Sequence, residues 1–302
     1  MEQLSSLASQ CRLPEELIIC DDGSKDETVA IARSFAQQAP FPVKVKVTDE
    51  PLGITRNFAR AIELCTGDFI ALCDQDDYWH SQKLAKCEEM LVAHPGAGIV
   101  VHNSEIVNDD LGSLKTSLWK FLRFDPPAFV GINQAAAVWL KRNPAFGHTI
   151  VFRGEFKTAI LPIPSDVPAD MWIGMIVGML SDAAFVSEPM SKYRQHAAQL
   201  TGDFAKHSGF WEGAGGGDFS GQTDLARNLS LCEHAYHRLQ EIDGRAQRAA
   251  RSVREKAEHL KARTNLSGGM FWRCRIVLQE LVSGRYHNYS NGSLSAMKDL
   301  LS

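Results

Sequence analysis

The sequence predicts an α/β fold in which a mostly parallel sheet is flanked by helices, with a helical segment at the C-terminal end. Across the first two-thirds of the 302 residues, short apolar runs alternate with helical patterns, the rhythm of a doubly wound sheet. Two of those runs, LIIC and IALC, end directly at aspartates. A chain of this length can also bury a full core, as one large α/β domain with an appendage.

The first strand is ELIIC (Glu16 to Cys20), followed by the turn-forming DDGSKDET. VAIARSFAQQA then places Val29, Ile31, Ala32 and Phe35 on one helical face. VKVKV (Val43 to Val47) alternates with period two and reads as a strand. After a turn at Pro51-Leu52-Gly53, a helix runs through TRNFARAIELC and closes near Gly67, a suitable C-cap. DFIALC is the next strand. The helix behind it has Ser81 as a cap and Leu84, Cys87 and Leu91 along one side, and Pro95-Gly96 stops it before the strand GIVVHN.

The formal charge is −4 and 44% of residues are hydrophobic, an ordinary soluble composition, and no nucleic-acid partner is expected. No apolar run approaches the ~20 residues of a membrane span, and MEQLSSLASQ lacks the apolar core of a signal peptide, so a cytoplasmic protein is expected. The seven cysteines contain no C-x-x-C pair, which favours small core fillers over a redox or zinc site.

FIALCDQDDYWH gathers three carboxylates in four positions behind a buried strand. Carboxylates in low dielectric are costly unless paired, hydrogen-bonded or bound to a cation. In an open parallel sheet, ligands bind beyond the carboxyl ends of the strands, so Asp21-Asp22 and Asp74, Asp76 and Asp77 should face one crevice. Each cluster has a plainer reading as a turn, since D-D-G-S caps its own backbone well. An all-oxygen set suits Mg²⁺ or Mn²⁺ bridging a diphosphate. An EF-hand is excluded, because the sixth position from Asp74 is Trp79 and the twelfth is Ala85. There is no P-loop and no G-x-G-x-x-G.

With LIICDDGSKDET, GITRNFARAIELCTGDFIALCDQDDYWHSQKL, FGHTIVFRGE and MSKYRQHAAQLTG, the chain resembles the family 2 glycosyltransferases of the GT-A fold, in particular a rhamnosyltransferase-like branch. The resemblance spans Gln3 to Asp203 and implies transfer of a sugar from a nucleotide-diphosphate donor, with inversion, to a glycan or lipid-linked acceptor in polysaccharide biosynthesis. At matching positions it implies that Asp21 and Asp22 contact the nucleoside and that Asp74 and Asp76 form the D-x-D pair on ribose and metal. Asp77 supports them, and Arg56 offers a basic contact to the donor. An inverting transfer needs a general base. PADMWIGMIVGML resembles the family's H-D-W-W, which makes Asp170 the candidate, with Ala169 where His is common. An N-cap of the following helix is the plainer role for Asp170, and packing is the plainer role for Trp172, which otherwise stacks on a sugar. In YRQH the resemblance gives Arg194 and His196 contacts to diphosphate or metal. His148 falls on the acceptor side or at a buried strand start.

These readings divide the chain into a GT-A domain over 1–205, a Gly-rich linker or lid over 206–222 and a helical region over 223–302. From Gly221 onward there are 13 Lys/Arg against 8 Asp/Glu. LARNLSLCEHAYHRL and RSVREKAEHLKAR have amphipathic spacing, either a solvated face or a peripheral contact with the inner face of an anionic membrane. The family begins with an apolar strand that this sequence lacks, since it starts at the following helix. That strand is expected between the strands carrying Asp21 and Asp74, which makes an inactive sugar-nucleotide-binding homologue the main alternative. A metal-dependent phosphohydrolase is the weaker one, because its D-x-D-x-T context would need Thr where Tyr78 stands.

Overall fold

The computed structural model describes residues 1–195, 222–242, 246–266 and 268–301. A short helix α1 (Glu2–Ala8) precedes strand β1 (Leu17–Asp21), which runs parallel to β2 (Val43–Val47) across helix α2 (Thr28–Gln38). Helix α3 (Ile54–Leu64) leads to β3 (Phe69–Ala71), and β4 (Tyr78–Trp79) to helix α4 (Lys83–Ala93). There follow β5 (Ala97–Val107), β6 (Ser113–Ser117), α5 (Leu118–Leu122), β7 (Phe129–Val130) and α6 (Ile132–Lys141). A 3-10 turn at Gly147–Thr149 enters β8 (Ile150–Arg153), and α7 (Lys157–Ile160), α8 (Ala169–Leu180) and β9 (Asp182–Arg194) complete the α/β part. The helix before Leu64 is C-capped by Cys65 rather than near Gly67, and α4 has Gln82 rather than Ser81 at its N-cap.

The α/β class holds, with helices on both sides of the sheets, but the pairing is mixed where a mostly parallel sheet was expected. The main sheet is ordered β3-β8-β5-β9-β4, with β6 on β5 and β7 on β9. Only β5/β9 is parallel in it; β3/β8, β5/β8, β4/β9, β5/β6 and β7/β9 are antiparallel. β5 can serve three neighbours because it is long and bulged: its start pairs with β8 and its end with β6.

β1 and β2 form a separate two-stranded sheet. The strands leading to Asp21 and Asp74, expected in one sheet, are in two. On the edge of β1 away from β2, the Cys20 carbonyl accepts from the Asn57 side-chain amide at 2.7 Å instead of from a neighbouring strand. Asn57 Oδ1 and Arg60 Nη1 are buried there with no hydrogen-bond partner among the described residues.

Among the described residues five further helices follow: α9 (Gln222–Glu241), α10 (Gln247–Thr264), α11 (Met270–Val282), α12 (Arg285–Tyr289) and α13 (Ser293–Leu301). α9 and α10 turn their apolar faces inward. Leu231, Cys232 and Leu239, with Val253 and Leu260, share the main core with Trp139 of α6 and with Trp172 and Ile176 of α8. α11, α12 and α13 close on a smaller core of Leu266, Val277, Tyr286 and Ala296. The proposed linker, except for Gln222, lies outside the described residues.

Candidate functional site

Two antiparallel registers assemble the site. Phe69 faces Arg153 and Ala71 faces Val151, so the same pairing, continued three residues past Ala71, brings Asp74 to His148. Tyr78 faces Lys192, which carries Asp77 alongside Tyr193 and Asp76 alongside Arg194. Sheet geometry, rather than spacing within the acidic run, therefore selects which carboxylates meet.

Asp74, Asp77 and His148 converge, each offering one ligand atom within 4.8 Å of the others. His148 Nδ1 lies 3.0 Å from Asp77 Oδ2 and 3.7 Å from Asp74 Oδ2. The His148 backbone N–H donates to Asp74 Oδ2 at 3.1 Å. Gly147 makes room for this contact: a Cβ there would sit 2.8 Å from Asp74 Oδ2. The other imidazole nitrogen, Nε2, is 2.9 Å from Ser104 Oγ, itself 2.6 Å from Ser191 Oγ, and the ring stacks on Tyr193 at 4.7 Å. Burial favours the neutral imidazole, yet the Asp77 and Asp74 carboxylates outweigh it and push the His148 pKa up to about 9.

Lys83 lies beneath this cluster, fully buried. It donates to the His148 carbonyl at 2.7 Å and stands 3.2 Å from the centroid of the Trp79 ring. Burial pushes its pKa down to about 8. The signal for Lys83 in the sequence is its spacing: it precedes Cys87 and Leu91 by four and eight residues and so shares their inward face.

Asp170 is the second residue of α8, behind Pro168 at the N-cap, and is therefore not the cap itself. A carboxylate in this first turn is favoured by the helix dipole. Its Oδ1 accepts from the Met171 N–H at 2.7 Å. Burial pushes its pKa up to about 6; the Met171 bond works against the rise and the nearby Asp74 charge adds to it. Of the acidic cluster, it is Asp74 whose charge acts on Asp170.

The remaining candidates divide clearly. Asp21 Oδ1 accepts from the Gly23 and Ser24 backbone at 3.1 and 3.0 Å, the turn role that D-D-G-S allows. Asp22 accepts from the Leu52 and Gly53 N–H groups at 2.6 and 2.8 Å, tying the loop before α3. Arg56 is exposed on the first turn of α3. Asp76 lies outside the converging trio, and its carbonyl accepts from Arg194 Nε at 2.9 Å. Arg194 is occupied as a structural tie: its backbone N–H reaches Asp77 Oδ1 at 3.1 Å, and its guanidinium also holds Glu2 at 2.7 Å and the Asp109 carbonyl. Trp172 is 1% exposed and donates to the Ile160 carbonyl at 2.7 Å, so it packs and offers no face to a sugar. His148 is equally buried and belongs to the acidic cluster rather than to an acceptor surface. His196 lies outside the described residues.

A divalent cation fits the trio. Asp77 Oδ2 is buried, and among the described residues nothing donates to it in hydrogen-bond geometry, His148 being close but poorly aligned. Two carboxylates and an imidazole are a reasonable donor set for Mn²⁺, and the carboxylates alone for Mg²⁺.

The mixed α/β sheet with its flanking and C-terminal helices is similar in fold to the GT-A glycosyltransferases. Residues 2–140 match the family model described as Glycosyl transferase family 2. The S. aureus TarS 1-349 structure in complex with UDP-GlcNAc superposes with a TM-score of 0.58 at 14% identity, covering 91% of this chain and 76% of that one. A mannosyltransferase from Pyrobaculum calidifontis in complex with GDP-Man and Mn2+ does so with a TM-score of 0.50 at 16% identity, covering 99% and 80%. An uncharacterized protein of Mycobacterium bovis is 28% identical over 220 residues, 72% of this chain and 61% of its own length. The E. coli UDP-Glc:alpha-D-GlcNAc-diphosphoundecaprenol beta-1,3-glucosyltransferase is 28% identical over 107 residues, 35% of this chain and 41% of that protein. The chain thus spans less than two-thirds of these relatives. No helix of the described residues is long and apolar enough to cross a membrane.

Proposed function

We propose that the protein is a metal-dependent inverting glycosyltransferase, hexosyl- or rhamnosyltransferase-like. In this reading it moves a sugar from a nucleotide-diphosphate donor to a glycan or lipid-linked acceptor in polysaccharide biosynthesis. The observation that carries the reading is the convergence of Asp74, Asp77 and His148, with Asp74 the member whose charge acts on Asp170. The donors in the TarS and mannosyltransferase complexes and the diphosphoundecaprenol-linked acceptor of the E. coli relative support it.

Asp74 and Asp77, with His148, would hold Mg²⁺ or Mn²⁺, which neutralises charge on a diphosphate leaving group. Asp170 takes the proton of the acceptor hydroxyl as it attacks, and a carboxyl with a pKa of about 6 is largely ionised at neutral pH, as a base must be. His148 fixes the carboxylates from below, and Arg194 keeps the acidic loop against β9. Asp21, Asp22, Arg56 and Asp76 remain candidates for the nucleoside and ribose side, and His196 for the diphosphate. A cytoplasmic enzyme touching the inner face of the membrane would meet a lipid-linked acceptor there.

The test is release of nucleoside diphosphate from a panel of nucleotide sugars with Mn²⁺, repeated with chelator and with Asp74→Asn and Asp76→Asn. Turnover that survives chelation and the Asp74 change would exclude this mechanism. A second reading, a sugar-nucleotide-binding homologue without catalysis, is favoured by the separation of β1 and β2 from the main sheet. Calorimetry showing donor binding without product selects that reading. Release of nucleoside diphosphate with transfer to an acceptor removes it.

A further inference from the structure

Helix α11 is apolar on two sides, and among the described residues only one of them is packed. Val277, with the partly buried Ile276 and Leu281, packs into the small C-terminal core. On the outer side Phe271 is 87% exposed, Leu278 62% and Val282 81%. Phe271, Cys274, Arg275, Leu278, Gln279 and Val282 line one shallow groove along the helix. Met270 and Trp272 extend the exposed apolar surface at its start. A soluble helix ordinarily turns a polar face outward, and one that is apolar all round is meant to be covered.

The charges nearby indicate what covers it. Between Gly268 and Leu301 the only carboxylates are Glu280 and Asp299, and both are buried. Glu280 is held by His259 at 2.7 Å and Arg285 at 3.3 Å, and Asp299 by Arg263 at 2.7 Å and Tyr286 at 2.6 Å. The exposed charges of the segment are therefore cationic, Arg275 and Lys298, with the Arg275 guanidinium 5.7 Å from the Trp272 ring. On a protein with net charge −4, this groove of aromatic and aliphatic side chains has Arg275 as the one charged residue lining it. A two-fold pairing of copies through this face would set like charges together. An anionic bilayer supplies both the apolar interior and the opposite charge.

We propose that α11 is a membrane-docking helix that lays Phe271, Leu278 and Val282 on an anionic phospholipid surface. This rests on the peripheral contact included in the proposed function and moves it from the helices expected to make it, whose apolar faces are spent on the core, to α11. The experiment is co-sedimentation of the full chain with vesicles of phosphatidylcholine alone and of phosphatidylcholine with phosphatidylglycerol, with no donor present. Wild type should sediment with the anionic vesicles and not with the neutral ones. Phe271→Glu/Leu278→Glu, checked for unchanged melting, should stay in the supernatant, and Arg275→Glu should bind about tenfold more weakly. A double variant that binds like wild type overturns the assignment to α11 while leaving the membrane contact standing. Equal binding to neutral vesicles overturns the anionic partner. A wild type that binds neither vesicle removes contact and assignment together, and light scattering that finds a dimer broken by the double variant gives the face to a second copy instead.

Discussion

The Nδ1 atom of His148 lies 3.0 Å from Oδ2 of Asp77, and both side chains are only 1% exposed. The pair joins β4's approach loop to the entry of β8 and places a cationic ring where a metal ligand is wanted. Below a pH of about 9 the ring holds its proton, so a cation that binds Nδ1 must release it. Mn²⁺ affinity is expected to rise by about tenfold per pH unit between roughly pH 6.5 and 9. Calorimetry in buffers of different ionisation enthalpy should count about one proton released; an affinity flat across this range would show that His148 is not a ligand.

The two buried cations beneath the site give opposite pH slopes in the metal-free protein. His148 has a raised folded pKa, so its stabilisation is complete below the unfolded value near 6.5 and is lost as pH rises through about 9. Lys83 has a lowered folded pKa, so between about 8 and 10.5 the unfolded chain binds more protons and stability rises with pH. The urea midpoint of wild type should fall from pH 6.5 to 8 and then level off, whereas Lys83→Met should keep falling toward 9. Identical curves for the two proteins would mean that Lys83 carries no such penalty.

Gly147→Ala should change metal binding more than stability. The added Cβ would meet Asp74 Oδ2 at 2.8 Å and Oδ1 at 3.0 Å, and the partly exposed Asp74 carboxylate can swing away at the loss of its bond from the His148 N–H. Melting is expected to move little while Mn²⁺ affinity falls about tenfold or more. Unchanged affinity would place the cation away from Asp74.

Asp170→Asn should lower kcat by about 10²- to 10⁴-fold with little change in donor binding. In wild type, kcat/KM should increase as pH rises through about 6, because only the ionised carboxylate accepts the acceptor's proton. A variant with near-normal kcat would reduce Asp170 to the helix-start role its position in α8 also suits.

Trp172→Phe separates packing from sugar contact. Loss of the indole N–H leaves the Ile160 carbonyl unpaired, at a cost of about 1–3 kcal/mol in urea unfolding. Donor and acceptor KM should be unchanged in the folded variant. A raised acceptor KM with full stability would return Trp172 to the site.

The sequence by itself determined the local elements and the chemistry offered: VKVKV is β2 over the residues its alternation marks, and the acids stand where apolar strands end. Such features are legible because period and turn chemistry act between near neighbours in the chain. Only the tertiary structure decided which acids meet. The β3/β8 register brings His148 to Asp74, and the β4/β9 register commits Arg194 to the acidic loop, contacts separated by 74 and 117 residues. It also put β1 and β3 in different sheets, buried Trp172 and Lys83, and left Phe271 and Leu278 outside. Those outcomes follow from strand pairing and from competition among apolar faces for a limited core, which no stretch of sequence states alone.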